Sequence, residues 1–162
     1  MLLSEAFLQE PPTITEPKTF DFVLMHHWWR AKTKPIRVGP SRQYWELYIE
    51  ESELKPLLKF TLDKNPLGNG DISGIFGFEK DHSLMDRGKD SEYIEPGTKL
   101  NPTKATPAYI RRLDKGKVKV YSLEDVYGKM EFKGKDFKGL FIMTRSEPDL
   151  NLWRVRKTEE KP

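Results

Sequence analysis

Between Ala108 and Lys157 the chain alternates too regularly, and breaks too often, to be anything but antiparallel strands. In "KVKVYSL", Lys117, Lys119 and Tyr121 alternate with Val118 and Val120. In "KMEFKG", Lys129, Glu131 and Lys133 alternate with Met130 and Phe132. A period of two puts every second side chain on one face, the pattern of half-buried antiparallel strands. "AYIRRL", "GLFIMTR" and "LWRVRK" read as further strands. Turn residues at Asp114–Gly116, Glu124–Gly128, Gly134–Asp136 and Glu147–Asn151 separate the five segments. Upstream, "TFDFVLMHHWW" is apolar on both faces, as a buried strand is. "QYWELYIE" alternates, with Trp45, Leu47 and Ile49 opposite Tyr44, Glu46 and Tyr48. "LKPLLKFTLD" and "GIFGF" are further candidates. Short strands in this number, with one plausible helical turn near Ser122–Tyr127, predict an all-β fold. The expected architecture is a compact antiparallel β-barrel of about seven or eight strands.

At 162 residues, with 36% hydrophobic and 33% charged, the chain suits one domain with a real core. Residues 1–18, rich in proline, read as a flexible N-terminal tail, residues 19–158 as the barrel and 159–162 as a C-terminal tail. Residues 79–107 read as one long irregular loop, a length that is usually functional or mobile. No stretch approaches the ~18 apolar residues of a membrane span, so no membrane partner is expected. "MLLSEAFLQE" carries acids and lacks the basic start of a signal peptide. There is no cysteine, hence no disulfide, thiolate ligand or cysteine nucleophile. The expected location is cytoplasmic, or virion-associated for a phage structural protein.

Net charge is +3, but its distribution is uneven. Residues 101–162 hold 15 Lys and Arg against 9 Asp and Glu, a net of +6. Arg30, Lys32, Lys34, Arg37 and Arg42 follow one another with no acid among them, which marks a candidate nucleic-acid contact. A solvated basic loop has the same composition. His26 and His27 are neighbours and on a strand point to opposite faces, so they do not share a metal. A strand histidine beside tryptophans is more often packed than ligating. The four tryptophans lie in apolar strands and suit the core better than base stacking. Tyr44, Glu46 and Tyr48 share one strand face, the geometry of a site and equally of a solvated surface. No glycine-rich phosphate loop, nucleophile elbow or zinc motif occurs.

The order of segments resembles the 3′-phosphoesterase domain associated with bacterial ligase D and its archaeal and phage versions, and "HHWWR" and "LNPTKATPAYI" look especially like the phage-type branch. "FVLMHH" matches the family's first strand, "QYWELYIE" its H-Y-D-x-R-L-E strand and "LDKNPL" its D-H-P-L segment. "MEFKGKDFKGLFIMTR" with "NLWRVRK" matches its closing strands. The resemblance spans roughly residues 19–158 and implies a β-barrel that uses a manganese-type ion to process DNA 3′ ends. Carried over residue by residue, the first histidine ligand is His27 and the aspartate ligand is Glu46. The second histidine ligand falls on Tyr44, the phosphate-clamping arginine on Tyr48, the D-H-P-L histidine on Asn65 and a later tyrosine on Asn69.

Catalytic candidates are therefore His27, Glu46 and Asn65, with His27 and Glu46 as the candidate Mn²⁺ ligands. Two protein ligands fall short of the three or more usual in a catalytic site. Replacing an imidazole and an arginine also removes the charge stabilisation that phosphoryl transfer needs. The preferred expectation is a catalytically impaired phosphoesterase-like barrel that binds DNA or RNA ends or a protein partner of phage or repair origin. The alternatives are an active Mn-dependent 3′-phosphoesterase, with Asn65, Arg42 or Lys59 taking over phosphate contacts, and a phage assembly module.

Overall fold

The computed structural model describes residues 10–29, 42–68, 70–146 and 151–159. Nine strands form the fold: β1 (Lys18–Trp29), β2 (Arg42–Glu50), β3 (Leu57–Leu62), β4 (Ile72–Glu79), β5 (Glu92–Ile94), β6 (Ala108–Leu123), β7 (Tyr127–Gly134), β8 (Lys138–Arg145) and β9 (Trp153–Thr158). Eight of them close an antiparallel barrel in the order β1-β2-β3-β4-β9-β8-β7-β6, with β6 returning to β1. β5 is the extra strand, hydrogen-bonded to the start of β6. Among the described residues no helix is long and apolar enough to cross a membrane.

The alternation seen in the sequence builds the interior. Phe22 and Leu24 of β1, Leu47 and Ile49 of β2 and Phe60 of β3 meet Val118, Phe132, Met143 and Trp153 from the far wall, all nearly inaccessible to solvent. Edge-to-face contacts such as Phe22–Phe132 at 5.1 Å and Phe60–Phe76 at 5.2 Å fill the middle. Three of the four tryptophans, Trp29, Trp45 and Trp153, are buried.

Three expectations change. The break at Asp114–Gly116 does not exist, because β6 runs unbroken through it. Leu24 pairs with Asp114 and Met25 with Arg112, so Leu113 is the extra residue of a bulge. The Asp114 carboxylate accepts hydrogen bonds from the backbone N–H groups of Lys115, Lys135, Asp136 and Phe137 at 2.7–3.2 Å. The aspartate that looked like a turn former thus holds the β7–β8 turn instead of its own. A Cβ on Gly134 would lie 2.2 Å from that carboxylate, so this turn requires glycine by close approach. The helical turn near Ser122–Tyr127 is likewise absent: Ser122 and Leu123 end β6 and Tyr127 opens β7. Finally, the tail is docked from Ile14 on. Ile14 is buried and exchanges backbone hydrogen bonds with Leu123 at 2.7 and 2.9 Å.

The long loop has structure of its own. It holds a 3₁₀ turn at His82–Asp86, started by the Asp81 side chain accepting from Ser83 N, and then β5. Gly88 has φ of 74°, and a Cβ there would meet Met25 Sδ at 2.7 Å and Arg112 N at 3.0 Å. The segment therefore lies flat against β1 and β6. It covers the outer face of β1 and β2, where the candidate metal ligands His27 and Glu46 reside.

Candidate functional site

β1 is buried on both sides. Its inward residues are Phe20, Phe22 and Leu24, and its outward residues are Val23, Met25, His27 and Trp29. On β2 the outward set is Tyr44, Glu46 and Tyr48, and cross-strand pairing puts Tyr44 opposite His27, Glu46 opposite Met25 and Tyr48 opposite Val23. The next strand adds Lys59, opposite Tyr48. His27, Glu46, Tyr44 and Tyr48 thus form one cluster on the outer wall, as the spacing required.

Three of its four members are closed to solvent, and Tyr44 is half-buried at the margin. His27 is 1% exposed, Tyr48 2% and Glu46 5%. Leu84, Ile94, Ala108 and Ile110 pack against Val23, Met25, Trp29, Tyr48 and Leu57 as a second hydrophobic core. Trp29 donates from Nε1 to Asn101 Oδ1 at 2.9 Å, and Asn101 Nδ2 donates to the carbonyls of Ile94 and Thr106 at 3.1 and 2.8 Å. Asn101 therefore ties the covering segment to β1. Its Asn-Pro setting marks a turn, but nothing in its spacing pointed to this role.

Inside, the polar groups answer one another. Tyr48 donates from its hydroxyl to Glu46 Oε2 at 2.8 Å. His27 Nδ1 lies 3.7 Å from Glu46 Oε1, and Lys59 Nζ lies 4.0 Å from Oε2. Burial raises the Glu46 carboxyl, but the His27 imidazole, the Lys59 ammonium and the Tyr48 hydroxyl outweigh it and hold the group below its ordinary value. Burial and the neighbouring carboxylate push the Tyr44 and Tyr48 phenols up, so both stay neutral. His27 stacks on Trp29 at 4.4 Å, and the Arg42 guanidinium lies 4.9 Å from the centre of the Trp29 ring. His27 Nε2 is buried with no hydrogen-bond partner among the described residues.

The remaining candidates lie elsewhere. His26 points to the opposite face, stacks on Trp28 and Trp45, and bonds Gln43 at 3.0 Å. Asn65 is exposed in the β3–β4 turn and caps it, its Oδ1 accepting from Leu67 N at 3.0 Å. No hydrogen bond joins it to His27 or Glu46. Arg30, Lys32, Lys34, Arg37 and Asn69 lie outside the described residues.

The donor set does not fit a catalytic divalent ion. Glu46 spends one oxygen on Tyr48, and the unpaired nitrogen of His27 is not the one facing Glu46. Among the described residues no group of three or more His, Asp or Glu side chains converges as metal ligands would. No protein-family model matches the chain, and no curated protein matches it.

Proposed function

We propose that this chain is a phosphoesterase-like β-barrel that binds nucleic acid, at ends or along the backbone, without hydrolysing it. The observation that carries the non-catalytic half is the closed cluster. Of the side chains aligned with metal ligands and a phosphate clamp, Tyr48 is hydrogen-bonded to Glu46 and His27 lies 3.7 Å from it, beneath a hydrophobic cover. A phosphomonoester needs an open, cationic, solvent-reachable site, and Tyr48 supplies neither charge nor a second donor in place of arginine. The net charge of +6 over residues 101–162 supports the nucleic-acid half.

Two measurements test this reading. Calorimetry should show no manganese binding by the wild type or by His27→Ala. Primers bearing a 3′-phosphate should be bound at low salt and stay unprocessed. Manganese binding lost in His27→Ala, with phosphate release, would establish a rebuilt hydrolase and overturn the proposal.

A further inference from the structure

The outward face of β6–β9 carries a ladder of like charges. Lys117 on β6 is directly opposite Lys133 on β7, and Lys133 is directly opposite Lys138 on β8. Adjacent strands lie about 4.8 Å apart, so three ammonium stems start within ~10 Å of each other. Like charges in direct register destabilise a sheet. Lys117 is paired with Asp21 at 2.5 Å, whereas Lys133 and Lys138 have no acidic partner among the described residues. Lysines on edge strands guard against aggregation, but that explanation fails here, because β7 and β8 are paired on both sides. The row continues across the wall with Lys129 and, through Ile142, with Arg156, while Arg154 lies opposite Thr144. Glu131 is spent on the Tyr121 hydroxyl at 3.0 Å.

We propose that this face, on strands β6–β9 rather than in the loop after β1, is the track that docks the phosphate backbone of nucleic acid. The inference rests on the nucleic-acid reading above and locates its surface. Charge complementarity carries it: cations repeat at strand spacing across three adjacent strands, and a polyanion would relieve their mutual repulsion. The outward side chains named here include no Asn or Gln, the usual readers of adenine, so the contact is to phosphate and independent of sequence. An anionic membrane would need the same charge, but the apolar side chains on these strands, Leu140, Ile142 and Tyr121, are buried or half-buried and none protrudes as an interfacial anchor.

The test is fluorescence anisotropy with a labelled DNA duplex of random sequence across a salt series. If about five cations engage, affinity falls with a log–log slope near −4 to −5, on the order of 10²–10³-fold between ~50 and ~200 mM salt. The double variant Lys133→Ala/Lys138→Ala is expected to bind at least ~10-fold more weakly, with the slope reduced by about 2. The control of equal charge, Lys55→Ala/Lys80→Ala, changes exposed lysines away from this face and should keep the wild-type slope. Lys133→Glu places a carboxylate between two lysines, so it should raise Tm while weakening binding. Wild-type binding that survives both β7–β8 variants overturns this surface and leaves the nucleic-acid reading standing. No wild-type binding overturns both, and capture by phosphatidylserine vesicles in its place assigns the face to membranes.

Discussion

Replacing Glu46 separates a structural carboxylate from a catalytic one. In Glu46→Ala the Tyr48 hydroxyl, on a residue 2% exposed, loses a charged acceptor away from bulk solvent. An orphaned buried donor costs about 1–3 kcal/mol. Removing one buried methylene costs a further ~0.8 kcal/mol. Relief from holding a carboxylate out of water offsets part of this. The expected net loss is about 2–3 kcal/mol, and at ~2–4 °C per kcal/mol for this chain length Tm should fall by roughly 4–12 °C. Glu46→Gln keeps an acceptor for Tyr48 and should lose about 1 kcal/mol. The pH dependence has a definite sign. The folded-state pKa of Glu46 is depressed, so its stabilisation is complete above the ordinary value of about 4.3 and drains away as pH falls through the lower folded value. The gap between wild type and Glu46→Gln should therefore be flat near neutrality and close in acid. Urea titrations monitored by tryptophan fluorescence at several pH values measure all of this. A Glu46→Ala variant within ~0.5 kcal/mol of wild type would refute the closed cluster as a structural unit.

Two other positions test the same architecture. Asn101→Ala should remove the acceptor of Trp29 Nε1 and the side-chain donor to the Ile94 carbonyl, costing about 1–3 kcal/mol. Hydrogen exchange should quicken over residues 92–106 before β7–β9, and a uniform change would show that the segment is no separate cover. Asp114→Ala should leave the buried N–H of Phe137 and that of Asp136 unpaired, at about 2–3 kcal/mol. Burial raises the Asp114 carboxyl but four backbone donors outweigh it, so its contribution should persist above pH ~3.9 and vanish as pH falls through the depressed folded value. A thermal melt of Asp114→Ala that matches wild type at neutral pH would contradict this account.

The barrel was legible because period two is a strong signal wherever one face is wet. β7 carries that signal cleanly, and its inward residues Met130 and Phe132 belong to the interior core with Phe141 and Met143 of β8. The misreadings share one cause, the use of composition where backbone partners decide. Asp and Gly at 114 and 116 resemble a turn, but Asp114 sends its side chain to another turn 21–23 residues away. Pro11, Pro12 and Pro17 resemble a tail, yet one residue between them, Ile14, makes a two-way backbone bridge to the end of β6. Neither long-range partner leaves a local trace.

The site was legible only to the level of which face its residues share. "TFDFVLMHHWW" already carried the decisive fact, since a strand apolar on both faces must be covered on both faces. His27 lies in the middle of the outward row, between Met25 and Trp29, so whatever covers those two residues also closes over the imidazole. The cover comes from Leu84 and Ile94, in a segment whose irregular composition concealed two well-placed apolar residues. Once that segment is down, a tyrosine at position 48 is favoured over arginine: it fills apolar volume and still gives Glu46 one hydrogen bond, with no second charge to bury. The same argument explains why Glu46 remains ionised without a metal. Tyr48, His27 and Lys59 together outweigh the burial that would otherwise raise its carboxyl. The polar cluster and its cover are thus one unit, and a variant that opened the face by removing Leu84 alone would expose a carboxylate already partnered by Tyr48 and Lys59.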